Sequence, residues 1–225
     1  MADASQVKKM TVNVLFWVEK VSSVASSFIP LLGIVSTVVA VVHKGLQDDE
    51  SLPMEKDFQS LQEKMETISE KNRQCLQQIK TNEVNETLAK YEDFIKKQYE
   101  KFVDMVTQVE KDPANARQHM DDFVPIYKRY KADMSLDVFY RSVMGEGSVF
   151  GRPLLQVYLK ACDCDRNIME HRCSYLNVLF YKGFIALMAY TAVTKDDVER
   201  EVKKWTRRMQ DVQTKMEEVL GQCKD

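Results

Sequence analysis

Apolar residues fall on this chain in two ways, at three- and four-residue steps and in unbroken runs, and the alternation between them lays out its elements. Phe58, Leu61, Met65, Ile68, Asn72, Cys75 and Ile79 step 3-4-3-4-3-4 among Glu, Lys and Gln, which predicts a coiled-coil seam with one polar insertion at Asn72. Near "TNEVNE" the phase shifts. Leu88, Tyr91, Ile95, Phe102, Met105 and Val109 then form a second seam, which Asp112-Pro113 stops and restarts as N-cap and first helical residue. Val198, Val202, Trp205, Met209, Val212, Met216 and Val219 step 4-3-4-3-4-3 and make a third. A short amphipathic helix over 5–20 carries Val7, Met10, Val14, Trp17, Val18 and Val21.

Two stretches abandon the periodicity. "VSSVASSFIPLLGIVSTVVAVV", residues 21–42, has no charge, and "SYLNVLFYKGFIALMAYTAV", 174–193, has only Lys182. The second reads as the latter half of a long helix from Pro153 to about Ala192. Thr194, with Asp197 three residues on, reads as a capping box opening the next helix. Between 113 and 151 the elements are shorter: Pro125 ends or kinks one, "MSLDVFYRSVM" is another, and "GEGSVFG" is a loop.

The pattern predicts an all-α fold, an elongated bundle of long amphipathic coiled-coil helices around an apolar helix or hairpin. One domain over 1–225 is expected, with 21–45 as an apolar membrane-candidate segment and 175–193 as its apolar partner. Seven Gly and five Pro in 225 residues fit this, being too few for a turn-rich sheet protein.

The formal net charge of −2 gives no reason to expect a nucleic-acid partner. Five cysteines, an odd number at low density, suit reduced thiols in the cytoplasm. The N-terminus shows no cleavable signal peptide, because the apolar run starts about twenty residues in, exceeds an h-region and lacks a small-x-small cleavage pattern.

Candidate chemistry is sparse. "CDCDRNIMEHRC", 162–173, has Asp163, Asp165 and Asn167 at the first three ligand positions of a calcium loop, but Ile168 replaces the required Gly and Ser174 the bidentate Glu. As a zinc site it fails on a helix, where Cys162 and Cys164 point about 200° apart. "GEGSVFG" lacks the Lys-Ser/Thr of a phosphate loop. His43, His119 and His171 lie in unrelated settings, with no nucleophile and base pairing. No catalytic, metal or cofactor-binding residue is assigned, no cofactor or small-molecule substrate is implied, and an enzyme is the least favoured class. "KKWTRR", 203–208, leaves Lys203, Lys204, Arg207 and Arg208 as solvated flanks of a seam, with an anionic-lipid contact as the alternative.

The uncharged run therefore carries the functional question. As a helix its 22 residues would rise about 33 Å, against a hydrocarbon core of about 30 Å. Pro30 and Gly33 interrupt it and serines dilute it, so helix and hairpin both stay open for 30–42, as do membrane span and buried core. Gly33, Ser36, Thr37 and Ala40 set small residues at helical spacing, as do Gly183, Ala186 and Ala189, so the two apolar stretches are expected to pack on each other.

The amphipathic start, "SFIPLLGIVSTVVAVVHKG", the helical middle and "LFYKGFIALMAYTAVTKDDVEREVKKWTRRMQDVQTKMEEVL" together resemble the rapunzel family of fish proteins along most of the chain. That resemblance implies a small vertebrate helical protein linked to developmental and immune phenotypes, with no established reaction. The arrangement is also similar to α-helical pore-forming toxins of the cytolysin A class, which keep an apolar element concealed until they meet a membrane.

On this reading the protein is non-enzymatic and hides a membrane-interacting segment. Phe28, Ile29, Leu31, Leu32, Ile34, Val35, Val38, Val39 and Val42 insert, while Gly183, Phe184, Ile185, Leu187 and Met188 shield them. Its expected partners are membrane lipid and a protein or second copy of the chain, and its expected place the cytoplasm or a membrane surface. Two alternatives stand beside it. One is a cytosolic adaptor that binds partner helices through the seam of Val202, Trp205, Met209, Val212 and Met216, and the other is a constitutive single-span anchor.

Overall fold

A computed structural model of the chain describes residues 9, 12–16, 55–79, 82–130, 132–146 and 151–224. The membrane-candidate run 21–42 and its residues Phe28 to Val42 lie outside the described residues, and so does most of the preceding amphipathic stretch. Of the latter, Val12, Val14 and Leu15 are helical and buried.

The described residues form an all-α bundle. In chain order the helices are α1 (Glu55–Leu76), α2 (Asn82–Lys111), a 3-10 turn (Pro113–Asn115), α3 (Ala116–Arg129), α4 (Ala132–Met144), α5 (Leu154–Ala161), α6 (Arg166–Thr194) and α7 (Val198–Leu220). The seams become core. Leu61, Met65, Ile68, Cys75 and Ile79 are buried along the first and Leu88, Ile95, Phe102, Met105 and Val109 along the second, with Tyr91 half-buried. Asn72 is buried in register with the first set, so the polar insertion is an inward-facing position.

At the centre lies α6. It packs against α1, α2, α3, α4 and α7, and every residue from Arg172 to Ala189 is buried. A helix apolar all round is stable when neighbours cover it on all sides, which these five supply. It is long and apolar enough to cross a bilayer, yet 89% of its most apolar window is buried in the bundle, which makes it a core helix here.

Several sequence expectations are corrected. The helix expected from Pro153 to Ala192 is two, because Asp163 and Cys164 take left-handed backbone angles of φ 54° and 65° and end α5. Asp165 then caps α6 by accepting from the Ile168 N–H at 2.9 Å. Sequence gave little warning, since the turn contains neither Gly nor Pro. Thr194 is not a cap of the last helix. It ends α6, its hydroxyl donating to the Tyr190 carbonyl at 2.9 Å, and Asp197 caps α7 through the Arg200 N–H at 3.0 Å. Pro125 lies inside α3, which continues past it to Arg129.

Candidate functional site

The sequence-derived candidates on α6 and α7 meet in the bundle interior. Phe184, Ile185, Leu187 and Met188 are each at most 3% exposed. The Phe184 ring stacks on Phe180 at 6.0 Å and leans on Trp205 of α7 at 5.2 Å. Trp205 in turn meets Tyr140 of α4 edge-on at 6.4 Å, and the Arg208 guanidinium covers its ring at 4.8 Å. Met209, Val212 and Met216 are buried and Val202 half-buried, on a helix that packs against α4, α5 and α6. The seam proposed for partner helices is therefore filled by the chain's own helices.

Gly183 also has an occupant other than the one expected. A Cβ built there would lie 2.3 Å from Leu136 Cδ2 and 2.8 Å from its Cγ, so α4 takes the space that the missing side chain leaves. The small-residue face of α6 thus receives Leu136 at this point.

Among the buried polar side chains of α6, Lys182, Arg172 and Asn177 were only partly visible in the sequence. Lys182, the single charge of the apolar stretch, is 6% exposed and places its ammonium 5.5 Å from the centre of the Tyr99 ring on α2. Burial pushes its pKa below the ordinary lysine value and the Lys96 charge adds to this, while Glu66, Glu100 and Glu92 act in the opposite sense. Tyr99 is held protonated by its own burial.

Arg172, which no periodicity marks, is 3% exposed. Its guanidinium donates to Asn72 Oδ1 at 2.8 Å and lies 4.0 Å above the Tyr158 ring. Asn177 donates to the Cys173 carbonyl at 3.1 Å and to Met216 Sδ at 3.2 Å. Among the described residues Arg172 Nε and Asn177 Oδ1 are buried without a hydrogen-bond partner. Arg172 borders a cavity of about 300 Å³ between α1, α2 and α6, with Asn72, Glu66, Glu92, Lys96 and Tyr175 on its walls. Glu92 accepts from both Lys96 and Tyr175 there. The cavity holds equal numbers of acidic and basic side chains, three of each, so it is not a focused site for either sign. No group of three His, Cys, Asp or Glu among the described residues is placed to hold a metal ion.

The position of Lys182 yields a measurable expectation. Replacing it with Met keeps the length of the side chain and removes a buried charge, and should stabilise the fold by about 1–2 kcal/mol at neutral pH. Because the folded pKa is depressed, the unfolded chain binds more protons between that value and the ordinary one. Wild-type stability therefore rises with pH across that window, and the advantage of Lys182→Met shrinks. Urea unfolding of both proteins from pH 7 to pH 10 checks this, and a variant less stable than wild type at pH 7 would mean that the ammonium is well compensated.

A central apolar helix carrying a few buried polar groups, wrapped by amphipathic helices, defines an all-α helical domain. A family model described as the cephalotoxin-like middle helical domain matches residues 44–225, and the chain belongs to that family. Over 222 residues it is 34% identical to Protein rapunzel of Danio rerio (zebrafish), covering 99% of this chain and 96% of that protein. The likeness to the rapunzel family read from the apolar segments thus extends across nearly the whole chain. No solved structure matches it.

Proposed function

We propose that this is a non-enzymatic helical protein, similar in organisation to α-helical pore-forming toxins, whose uncharged segment 21–42 is a concealed membrane-interacting element. One observation carries the reading. The cephalotoxin-like domain begins at residue 44, directly after the uncharged run, and the bundle that follows covers its own most apolar helix with five helices of its own. Among the described residues the only large apolar side chains exposed are Phe16 and Met134, so the bundle offers little to a lipid surface and the run ahead of it is the candidate.

Phe28, Ile29, Leu31, Leu32, Ile34, Val35, Val38, Val39 and Val42 enter the hydrocarbon in this scheme. Release of the run into water would cost roughly 1.5–3 kcal/mol per large apolar side chain, so a lipid surface or further copies of the chain must receive it as it leaves. In this proposal the protein rests in the cytoplasm and serves the vertebrate developmental or immune role that the resemblance read from the sequence implies. The adaptor reading has less support, because Trp205, Met209, Val212 and Met216 are occupied within the bundle.

Detergent-free protein floated with liposomes loaded with dye tests the proposal at neutral and mildly acidic pH. Wild type is expected to float and release dye. Val38→Asp, which adds about 3 kcal/mol for a carboxylate at mid-bilayer, should do neither while keeping a wild-type circular dichroism spectrum. A folded wild-type protein that stays at the bottom of the gradient would return 21–42 to the core.

A further inference from the structure

The cysteine-rich stretch that fails as a metal loop has a neighbour that sequence spacing conceals. At the far end of α7 the chain turns back, and Lys224 N–H donates to the Cys164 carbonyl at 2.9 Å, with Asp165 and Lys224 joined as an isolated parallel bridge. This bridge sets Cys164 and Cys223, the residues just before its two members, side by side at a main-chain spacing of roughly 5–7 Å. Disulfides form across α-carbon distances of about 4.4–6.8 Å.

The setting is unusual in two further respects. Asp163 and Cys164 hold consecutive left-handed backbone angles without being glycine, a conformation that persists only where the surroundings enforce it. Here the turn's own bonds hold it, Cys164 N–H to the Leu159 carbonyl at 2.9 Å and Asp165 N–H to the Cys162 carbonyl at 3.0 Å, and the C-terminal tail adds the Lys224 contact. Cys162, Cys164, Cys173 and Cys223 are also gathered at this end of the bundle, and the Asp165 charge reaches the buried Cys75 as well. Cys162 and Cys173 are buried, and Cys164 and Cys223 half-buried.

Each buried thiol has a reason to stay reduced. Burial pushes Cys173 up to about 12, and it raises Cys162, whose sulfur also donates to the Leu159 carbonyl at 3.4 Å. Cys223 is raised by burial first and then by the neighbouring sulfurs of Cys162 and Cys164. Cys164 is left as the more reachable thiol beside a resolving partner.

We infer that Cys164 and Cys223 are a redox latch that closes into a disulfide and fastens the end of α7 to the turn between α5 and α6. With hydrogen peroxide as oxidant the Cys164 thiolate attacks one peroxide oxygen, giving a sulfenic acid and water. The Cys223 sulfur then displaces the hydroxyl, which leaves as a second water. Two thiols lose two electrons and two protons, and the peroxide takes up both. The bond would close a long loop of chain and restrain the left-handed turn. A thiol reductant reopens it.

Purified full-length protein is treated with equimolar peroxide, blocked with iodoacetamide and digested with trypsin without reduction. The expected product joins peptide 161–166, carbamidomethylated on Cys162, to peptide 216–224, two hydrogens lighter than the sum of those two peptides with Cys164 and Cys223 as free thiols, and reductant separates them. Because the first peptide carries both Cys162 and Cys164, two variants assign the bond. Cys162→Ser should keep the cross-link and Cys164→Ser should lose it, with both reduced variants showing wild-type circular dichroism. Oxidised wild type should melt several degrees above the reduced form, and Cys223→Ser should show no such difference. Free Cys164 and Cys223 after oxidation, a cross-link that survives Cys164→Ser, or a product joining two copies of the chain would each overturn the latch.

Discussion

Trp205→Ala is expected to lower the stability of the fold by about 3–5 kcal/mol, the range for truncating a buried aromatic in a core that relaxes only in part. The residue is 1% exposed and serves three elements at once: Phe184 of α6 at 5.2 Å, Tyr140 of α4 at 6.4 Å and its own helix neighbour Arg208 at 4.8 Å. Its removal leaves a void that no single neighbour can fill and ends two aromatic contacts worth about 0.5–1.5 kcal/mol each. In a chain of this length the loss should appear as a fall in Tm of roughly 6–20 °C. Thermal melts followed at 222 nm measure it. Lys203→Ala and Arg207→Ala, on exposed positions of the same helix, should stay within about 0.5 kcal/mol of wild type. Phe184→Ala combined with Trp205→Ala should cost less than the two single changes together, since both enlarge one cavity. Full additivity would separate α6 from α7 at this point.

Gly183→Leu is expected to be nearly as damaging for the opposite reason. Even the Cβ of Gly183→Ala would lie 2.3 Å from Leu136 Cδ2, and Leu136 is fully buried, so it cannot swing into solvent. Alanine in a helix interior gains about 1 kcal/mol over glycine, yet overpacking a well-filled core costs typically 1–3 kcal/mol. Gly183→Ala should therefore destabilise by about 1 kcal/mol on balance, and Gly183→Leu by about 3 kcal/mol or more as α4 is levered away. Urea unfolding of both variants, alone and with Leu136→Ala, checks the cause. The second change should relieve most of the strain in Gly183→Ala and bring the double variant close to Leu136→Ala alone. A Gly183→Ala protein more stable than wild type would mean that Leu136 does not occupy this gap.

These two positions differ in how far the sequence announced them. Trp205 was legible as a core residue because it falls on a seven-residue repeat with Val202, Met209, Val212 and Met216, and a helix of fixed pitch puts such residues on one side wherever its partners lie. Gly183 was legible only as a small residue on an apolar helix. Its expected counterpart was the small-residue set of 33–40, which lies outside the described residues, while Leu136 on α4 is what fills the space.

The buried polar groups of α6 show the same division. Asn72 and Lys182 stood out as exceptions to their local pattern, so each was visible as an anomaly. That Asn72 receives the Arg172 guanidinium 100 residues away, and that Lys182 rests over Tyr99, are facts of helix packing. Arg172 itself carried no signal, because an arginine within "CDCDRNIMEHRC" reads as surface until the neighbouring helices enclose it.

The sequence by itself determined the all-α class, the three seams, and the presence of two apolar stretches that differ in kind from the rest. Those features rest on period and composition, which are local properties of the chain. Only the tertiary structure decided that 175–193 is the covered axis of a bundle, that the α7 seam is spent on the chain's own helices, and that the long helix read from Pro153 breaks at Asp163 and Cys164. The first two depend on which surfaces meet across long separations in the chain. The break is closed by bonds within the turn, Cys164 N–H to Leu159 and Asp165 N–H to Cys162, and met by a tail some 60 residues further on, whose Lys224 N–H reaches the Cys164 carbonyl.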